Sequence, residues 1–499
     1  MSTQDQPISL WEKYGIRSMF FVLLLFMARL IAMYWIPLND STEARYAEIA
    51  RLMLSANNWV SLMHYPGQYF WAKPPLSTWL SAGFMHAFGI SPFVARLPAM
   101  CLSFVCLGLV AKMAFVQLGR AGALWVMAIL SSTIYFLLDA GTVMTDPALL
   151  TAVVLVMTSF WLAMQAGQSK VWGYLVFVGW GLGLLAKGPV VGVFTILPLL
   201  SWVSFSRNWQ ACWQRLPWMK GSLLTLIIAL PWYILAEQRT PGFLSYFLIG
   251  EHFMRFLRPG WTGDLYGFAH QAPMGMIWVY FVLGSLPWSM VLAIWAVNEK
   301  HAFRFEKSEW SWLIYLTSFL LIPLIFFTFA RNIIYPYVFP VLPAFALLFT
   351  SLMFKTNLEK RFSLVFQMLC VSISMLVIGI SYAFWKFPVQ ISKSNDQMIA
   401  AWVKDRKSAD EQLIYVLTAA EYSSMFYSSG TVLASRDDHM LCQWFKAGPK
   451  YLVLDSDEPS YFDDSIQQEF SMVYSIQHRH RIDRLFRIDS LPSFCEGQV

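Results

Sequence analysis

A lysine held by two prolines, within Phe70-Trp71-Ala72-Lys73-Pro74-Pro75, is the side chain in this sequence best placed for chemistry. Pro74 and Pro75 stiffen the backbone and keep the residue before them extended, so the ammonium is presented rather than folded away. A compact charge of this kind suits a phosphate; the rival reading is a lysine snorkelling at a membrane edge. Upstream, Asp40 and Glu43 offer carboxylates ahead of a helix-like stretch that runs to Leu54. They can act as a general base, and their spacing equally fits a helix cap. Asp40, outside the helix, is the preferred base, because Glu43 and Arg45 on a regular helix point to opposite sides. Asp146 before Pro147 offers the same choice between an acid for catalysis and a helix start. Lys187-Gly188-Pro189 sits between two apolar runs, where an ionisable residue is a functional candidate. Glu251-His252-Phe253-Met254-Arg255-Phe256, Arg258, and Arg331 followed by Tyr335-Pro336-Tyr337 add further charges and aromatics. Arg29 lies inside the first apolar run, with no evident partner. Arg45 and Glu48, or Glu48 and Arg51, are spaced to pair on a solvated helix face.

The elements that must hold these groups are mostly for lipid. The chain has 499 residues, 57% hydrophobic and 13% charged, with a mean hydropathy of +0.50. An ordinary globular domain is roughly 25% charged. About eleven apolar runs are long enough, alone or with their flanks, to cross a bilayer. They lie at residues 19–37, 93–117, 121–138, 147–164, 171–185, 189–205, 222–236, 274–297, 310–329, 333–354 and 364–385. The first run has a long apolar core and no small-residue cleavage site after it, so it reads as a retained helix. With a cytoplasmic N-terminus every inner loop is basic, and the C-terminus lies outside. The net charge of +6 then reports topology, not nucleic-acid binding. Lys73, Arg255, Arg258 and Arg331 share the outer face, where a lipid phosphate and an apolar tail can both be bound. No Walker loop, dinucleotide fingerprint or Cys/His metal box is present. No cofactor is indicated, and a divalent metal stays open. ATP and nucleotide sugars are on the other side of the membrane, so a donor already in the membrane fits best.

From about Ile391 the composition changes. Residues 413–417, 431–434, 451–454, 471–476 and 484–488 read as strands, with helices near 397–406, 421–427 and 438–446. This predicts a small outer α/β domain over residues 391–499, behind a membrane domain at 1–390 with a long first outer loop at 38–90. Cys442 and Cys495 share that tail, and a bridge between them is one option. His478 and His480 alternate on one strand face and read as solvated rather than as metal ligands.

Thr42-Glu43-Ala44-Arg45-Tyr46-Ala47-Glu48-Ile49-Ala50-Arg51, Lys73-Pro74-Pro75, Glu251-His252 with Arg255-Phe256, and Gly284-Ser285-Leu286-Pro287-Trp288 resemble the bacterial aminoarabinose (4-amino-4-deoxy-L-arabinose) transferase family. These are C-type glycosyltransferases related to protein O-mannosyltransferases. The motifs run in family order over about residues 15–390. The resemblance implies a mainly α, polytopic inner-membrane enzyme that takes a sugar from a polyprenyl-phosphate donor at the periplasmic face. Its usual acceptor is lipid A. Position by position, Arg45, Tyr46, Lys73, His252 and Arg255 match the donor-binding region, and Asp146 matches a functionally important acid. Lys187-Gly188 matches a recurrent pair.

Two positions depart from the family pattern. Thr42 stands where the first acid of the usual Asp-Glu-x-Arg-Tyr motif would be, and Ala72 replaces the acid before Lys-Pro. The reading is an inverting glycosyltransferase in which Asp40, Glu43 and Asp146 are the catalytic acids. Lys73, Arg45, Arg255, Arg258 and Arg331 meet the donor phosphate, and Tyr46, His252, Glu251, Lys187, Tyr335 and Tyr337 line the substrate. Its partners are the lipid-linked sugar, membrane lipid, and lipid A or another glycan or protein acceptor. The alternatives are an O-glycosyltransferase with a hydroxyl acceptor and, in another class, a lipid-linked-sugar flippase.

Overall fold

The computed structural model describes residues 9–267, 270–298, 306–356, 358–387, 392–448, 450–455, 470–478 and 481–495. The apolar runs become helices, because a backbone in lipid must satisfy its own hydrogen bonds. Among the described residues, seven helices are long and apolar enough to cross a membrane, or eight if the bent pair Met276–Gly284 and Trp288–Val297 counts as one span. The expected eleven were runs, and they differ from these spans for physical reasons. Val171–Lys187 and Val190–Ser206 are apolar but only 17 residues each. Pro92–Ser131 holds two expected runs as two helices end to end, separated by a kink at Gly119, where φ is 72°. The chain is thus a multi-pass membrane protein.

The bent pair turns through 94° at the Gly284-Ser285-Leu286-Pro287-Trp288 motif. The bend is fixed from both sides. Ile134 N–H donates to the Leu286 carbonyl at 2.9 Å, and the fully buried Trp288 donates Nε1–H to Ser132 Oγ at 2.9 Å.

The first long connection is structured rather than open. It holds the helix Thr42–Ser55, a hairpin of Met63–Tyr65 and Gln68–Tyr69, and the helix Leu76–Phe88. At the C-terminal end five strands pair in the order Leu433–Ala434, Leu413–Tyr415, Lys450–Asp455, Arg481–Ile488, Ser471–His478, the first three parallel and the rest antiparallel. Residues alternate between two apolar layers: Leu413 and Tyr415 meet Trp402 on one face, while Ile414 and Leu452 meet Leu441 and Phe445 on the other. Cys442 and Cys495 form a disulfide, Cα atoms 5.4 Å apart. His478 ends its strand, and His480 lies outside the described residues.

This C-terminal sheet region is bonded to the first connection. Leu38 N–H donates to Tyr427 Oη at 2.9 Å, Asp40 N–H to the Lys393 carbonyl at 3.0 Å, and Tyr65 Oη–H to the Ala420 carbonyl at 2.9 Å.

Candidate active site

A cavity of about 390 Å³ gathers residues from four separate stretches of sequence. Lys73, Lys187, Glu251, His252, Arg255 and Tyr337 line it. Val190, Val193, Phe256, Phe326 and Phe327 line it as well, so charged groups and apolar side chains share one space. The Ser245–Met254 stretch is π-helical, a local widening often found at functional sites.

Glu251 is the hub. Its Oε2 lies 3.1 Å from Lys73 Nζ and 3.1 Å from Arg255 Nη1, while Oε1 accepts from Tyr246 Oη–H at 3.0 Å. Burial would raise this carboxyl; the Lys73 and Arg255 charges overcome it and hold it near 2. Lys73 also donates to the Ala72 carbonyl at 2.7 Å, and Arg255 reaches Asp264 at 3.4 Å. Asn332 Nδ2 donates to the Arg255 and Arg258 carbonyls at 2.6 and 2.7 Å, closing the end of that segment.

Lys187 Nζ is 2.6 Å from Asp146 Oδ1 and lies 5.0 Å from the centre of the Tyr337 ring. The Lys-Gly pair has a steric reason. Gly188 has φ +77°, and a Cβ there would sit 2.6 Å from the Phe247 ring and 3.3 Å from His252. That closeness lets the His252 ring nitrogens face the Phe247 carbonyl at 2.8 Å and the Lys187 carbonyl at 3.3 Å. Burial pushes the His252 ring down from its ordinary pKa.

The family profile described as dolichyl-phosphate-mannose-protein mannosyltransferase matches residues 16–247. The undecaprenyl phosphate-alpha-4-amino-4-deoxy-L-arabinose arabinosyl transferase of Enterobacter sp. (strain 638) is 28% identical over 397 residues, 74% of this chain and 67% of that protein. The protein of the same name from Edwardsiella ictaluri is 27% identical over 312 residues, 61% of this chain but only 54% of its own length. The crystal structure of ArnT from Cupriavidus metallidurans bound to undecaprenyl phosphate has a TM-score of 0.76 and 17% identity, covering 94% of this chain and 97% of that chain. Its apo structure gives 0.73. The chain is thus similar to the arabinosyl transferases in sequence and shares the fold of ArnT. It has the C-type glycosyltransferase fold that the motifs implied.

Several of the expected site residues are placed elsewhere. Asp40 does not line the cavity or cap its own helix. Its carboxylate accepts from Ser423 N–H at 3.0 Å and from Ser423 Oγ–H, capping the helix Tyr422–Tyr427 instead. Burial beside Glu421 pushes Asp40 up to about 7. Glu43 is clamped by Arg96 at 2.8 and 2.6 Å. Arg96 is 2% exposed and uses its remaining donors on the carbonyls of Met33, Ile36 and Pro37. Arg45 leaves the cavity for an aromatic box, within 6 Å of the Tyr46, Phe70 and Tyr422 ring centres. Tyr46 is buried against Phe70. Arg258, Arg331 and Tyr335 are exposed and do not line the cavity; among the described residues the two arginine side chains make no hydrogen bond or ion pair. The Glu48–Arg51 pair forms at 2.6 Å, but it is buried against the Ser429 carbonyl rather than solvated.

Arg29 does have partners, the Leu138 carbonyl at 2.7 Å and Thr142 Oγ1 at 3.1 Å. Asp139, 1% exposed, lies close enough to Asp146, Lys187 and Arg29 to feel their charges. Sequence reasoning missed Asp264, Asn332, Tyr246 and Tyr266. Their only signal was membership of outer segments rich in charges and aromatics. Among the described residues no group of three or more His, Cys, Asp or Glu side chains could hold a metal.

Proposed function

We propose that the chain transfers 4-amino-4-deoxy-L-arabinose, or a related sugar, from a polyprenyl-phosphate donor to lipid A or another phosphate-bearing acceptor. The relatives are named for undecaprenyl phosphate-aminoarabinose, and one solved structure of the same fold is bound to undecaprenyl phosphate. The observation that carries the reading is the cavity itself. Two cations, Lys73 and Arg255, line it together with Val193, Phe256 and Phe326, which suits a phosphate with a hydrocarbon tail.

An acceptor oxygen attacks the anomeric carbon as the bond from that carbon to the phosphate oxygen breaks, and the electron pair leaves with polyprenyl phosphate. A single displacement inverts the anomeric centre. The second pKa of a phosphate monoester is near 6, so the leaving group needs its charge matched more than it needs a proton. Lys73 and Arg255 match it where it develops. Tyr337 and Lys187 shape the sugar end.

Acceptor chemistry follows from the acids. Among the described residues Glu251 is the one carboxylate in the cavity lining, and it is held by two cations. A hydroxyl acceptor needs a base; an ionised phosphate does not. This favours a phosphate acceptor, as in lipid A, over a protein or glycan hydroxyl.

We place the enzyme in the bacterial inner membrane, N-terminus cytoplasmic. Residues 1–390 form the transferase body, with the 38–90 loop and the 391–499 domain in the periplasm. The Cys442–Cys495 bridge suits that oxidising compartment, and the basic inner loops suit the orientation. Mass spectrometry of lipid A and surface glycans from cells with and without the protein tests the proposal. An unchanged lipid A profile alongside a lost modification on protein or glycan would replace the acceptor. Loss of lipid-linked sugar flipping with transfer intact would replace the class.

A further inference from the structure

We infer that Tyr266 is a positioning residue for Lys73, its hydroxyl fastening the strand segment that delivers the lysine to the cavity. The inference rests on the donor-phosphate reading above. The hairpin before Lys73 has two strands of three and two residues, too short to hold a side chain firmly unaided. Tyr266 supplies the missing restraint. Its hydroxyl accepts from Trp71 N–H at 3.0 Å and donates to the Tyr69 carbonyl at 2.9 Å, so both roles of one oxygen are used on the two residues flanking Phe70. Its ring packs on Phe70 with centres 4.7 Å apart, and Phe70 is itself buried.

The same short segment reaches the second cation. Asp264 Oδ1 accepts from Tyr266 N–H at 3.0 Å, and Asp264 Oδ2 stands 3.4 Å from Arg255. The Tyr266 carbonyl accepts from Arg45 Nη1 at 2.7 Å, which ties the segment to the helix Thr42–Ser55. Tyr266 is therefore joined to the backbone leading into Lys73, and Asp264 to the side chain of Arg255. Two cations far apart in sequence are brought to one carboxylate by this turn. Tyr266 does not line the cavity, and acts through Lys73.

The test uses full-length protein in nanodiscs, with undecaprenyl phosphate as the probe. Tyr266→Phe keeps the ring and the backbone contacts but removes the hydroxyl. It should raise the Kd for undecaprenyl phosphate about tenfold, the size expected when a hydrogen-bond pair is lost and a backbone N–H is left unmatched. It should also speed amide exchange at residues 70–73. In a Lys73→Gln background the Tyr266→Phe change should add nothing, because the lysine it positions is gone. Unchanged Kd, or the same loss in both backgrounds, overturns the inference. Unchanged exchange at residues 70–73 overturns it too. Failure of the wild-type protein to bind undecaprenyl phosphate overturns the donor reading, and the inference with it.

Discussion

Lys73 and Arg255 share a single oxygen, Glu251 Oε2, each at 3.1 Å. The carboxylate balances charges that would be costly to leave half-buried and alone. It also holds both cations on one side of the cavity, so an arriving phosphate meets a ready pair instead of two independent side chains.

Lys73→Ala should abolish transfer with expression and folding nearly intact, because the side chain adds little to the core. Glu251→Gln should act differently. With the competing carboxylate neutralised, undecaprenyl phosphate should bind more tightly, while kcat falls because the same phosphate leaves more slowly. Binding assays on both variants check this; weaker binding by Glu251→Gln would mean that orientation outweighs competition.

Gly188→Ala places a Cβ 2.6 Å from the Phe247 ring at a backbone with φ +77°. Strain of this sort costs about 1–3 kcal/mol, and the displaced ring would carry His252 with it. A lower melting temperature and reduced turnover are expected together. A fully active, equally stable variant would show that the turn at Lys187-Gly188 can relax.

Asp40 holds the C-terminal region, and its titration gives a sign. Its unfolded pKa is about 3.9, and burial raises the folded value to about 7. The folded state therefore binds the proton more tightly. The stability this gives is full below about pH 4 and is lost as the pH rises through about 7. Asp40→Asn, neutral throughout, should flatten this part of the pH dependence and leave transfer within a few-fold of wild type. Melting temperatures from pH 4.5 to 8 decide it: a constant difference between the two proteins would remove Asp40 from the pH response. A hundredfold loss of transfer in the folded variant would restore it as a base.

These residues also show what a sequence can and cannot reveal. Lys73-Pro74-Pro75, Glu251-His252 and Arg255 were legible because local stiffness and family motifs mark them, and they do converge on one cavity. The C-terminal strands were legible from their alternation. Partner choice was not. Whether Asp40 caps its own helix or one almost four hundred residues away depends on docking, which leaves no local trace. Glu43 with Arg96, and Arg45 with Tyr266, are equally non-local. Arg258 and Arg331 have the right charge and the right face, but their side chains are directed outward, and composition says nothing about direction.

A periplasm-active reporter fused after Val499 should be active, and one fused near Arg207 silent. Under reducing conditions the C-terminal region should also melt earlier, since its Cys442–Cys495 bridge closes a loop of 53 residues. The reverse reporter pattern would turn the cavity to the cytoplasmic face and exclude a periplasmic acceptor.

The identity of the acceptor is written in the pH profile. Glu251 is held near 2, because Lys73 and Arg255 outweigh its burial, so it stays ionised and engaged through the neutral range. A carboxylate in that state is a poor base. A phosphate acceptor loses its second proton near pH 6, so kcat/KM should rise through about that pH and then stay level, with no enzyme carboxylate setting the midpoint. Removing the acceptor phosphate should abolish transfer rather than divert it to a neighbouring hydroxyl, since Glu251, the carboxylate of the cavity lining among the described residues, is engaged by two cations. The decisive comparison is purified enzyme with phosphorylated and dephosphorylated lipid A between pH 5 and 9. Comparable turnover of the dephosphorylated acceptor would require a base other than Glu251, and His252, whose ring lines the cavity and is pushed down in pKa by burial, would be the first residue to replace.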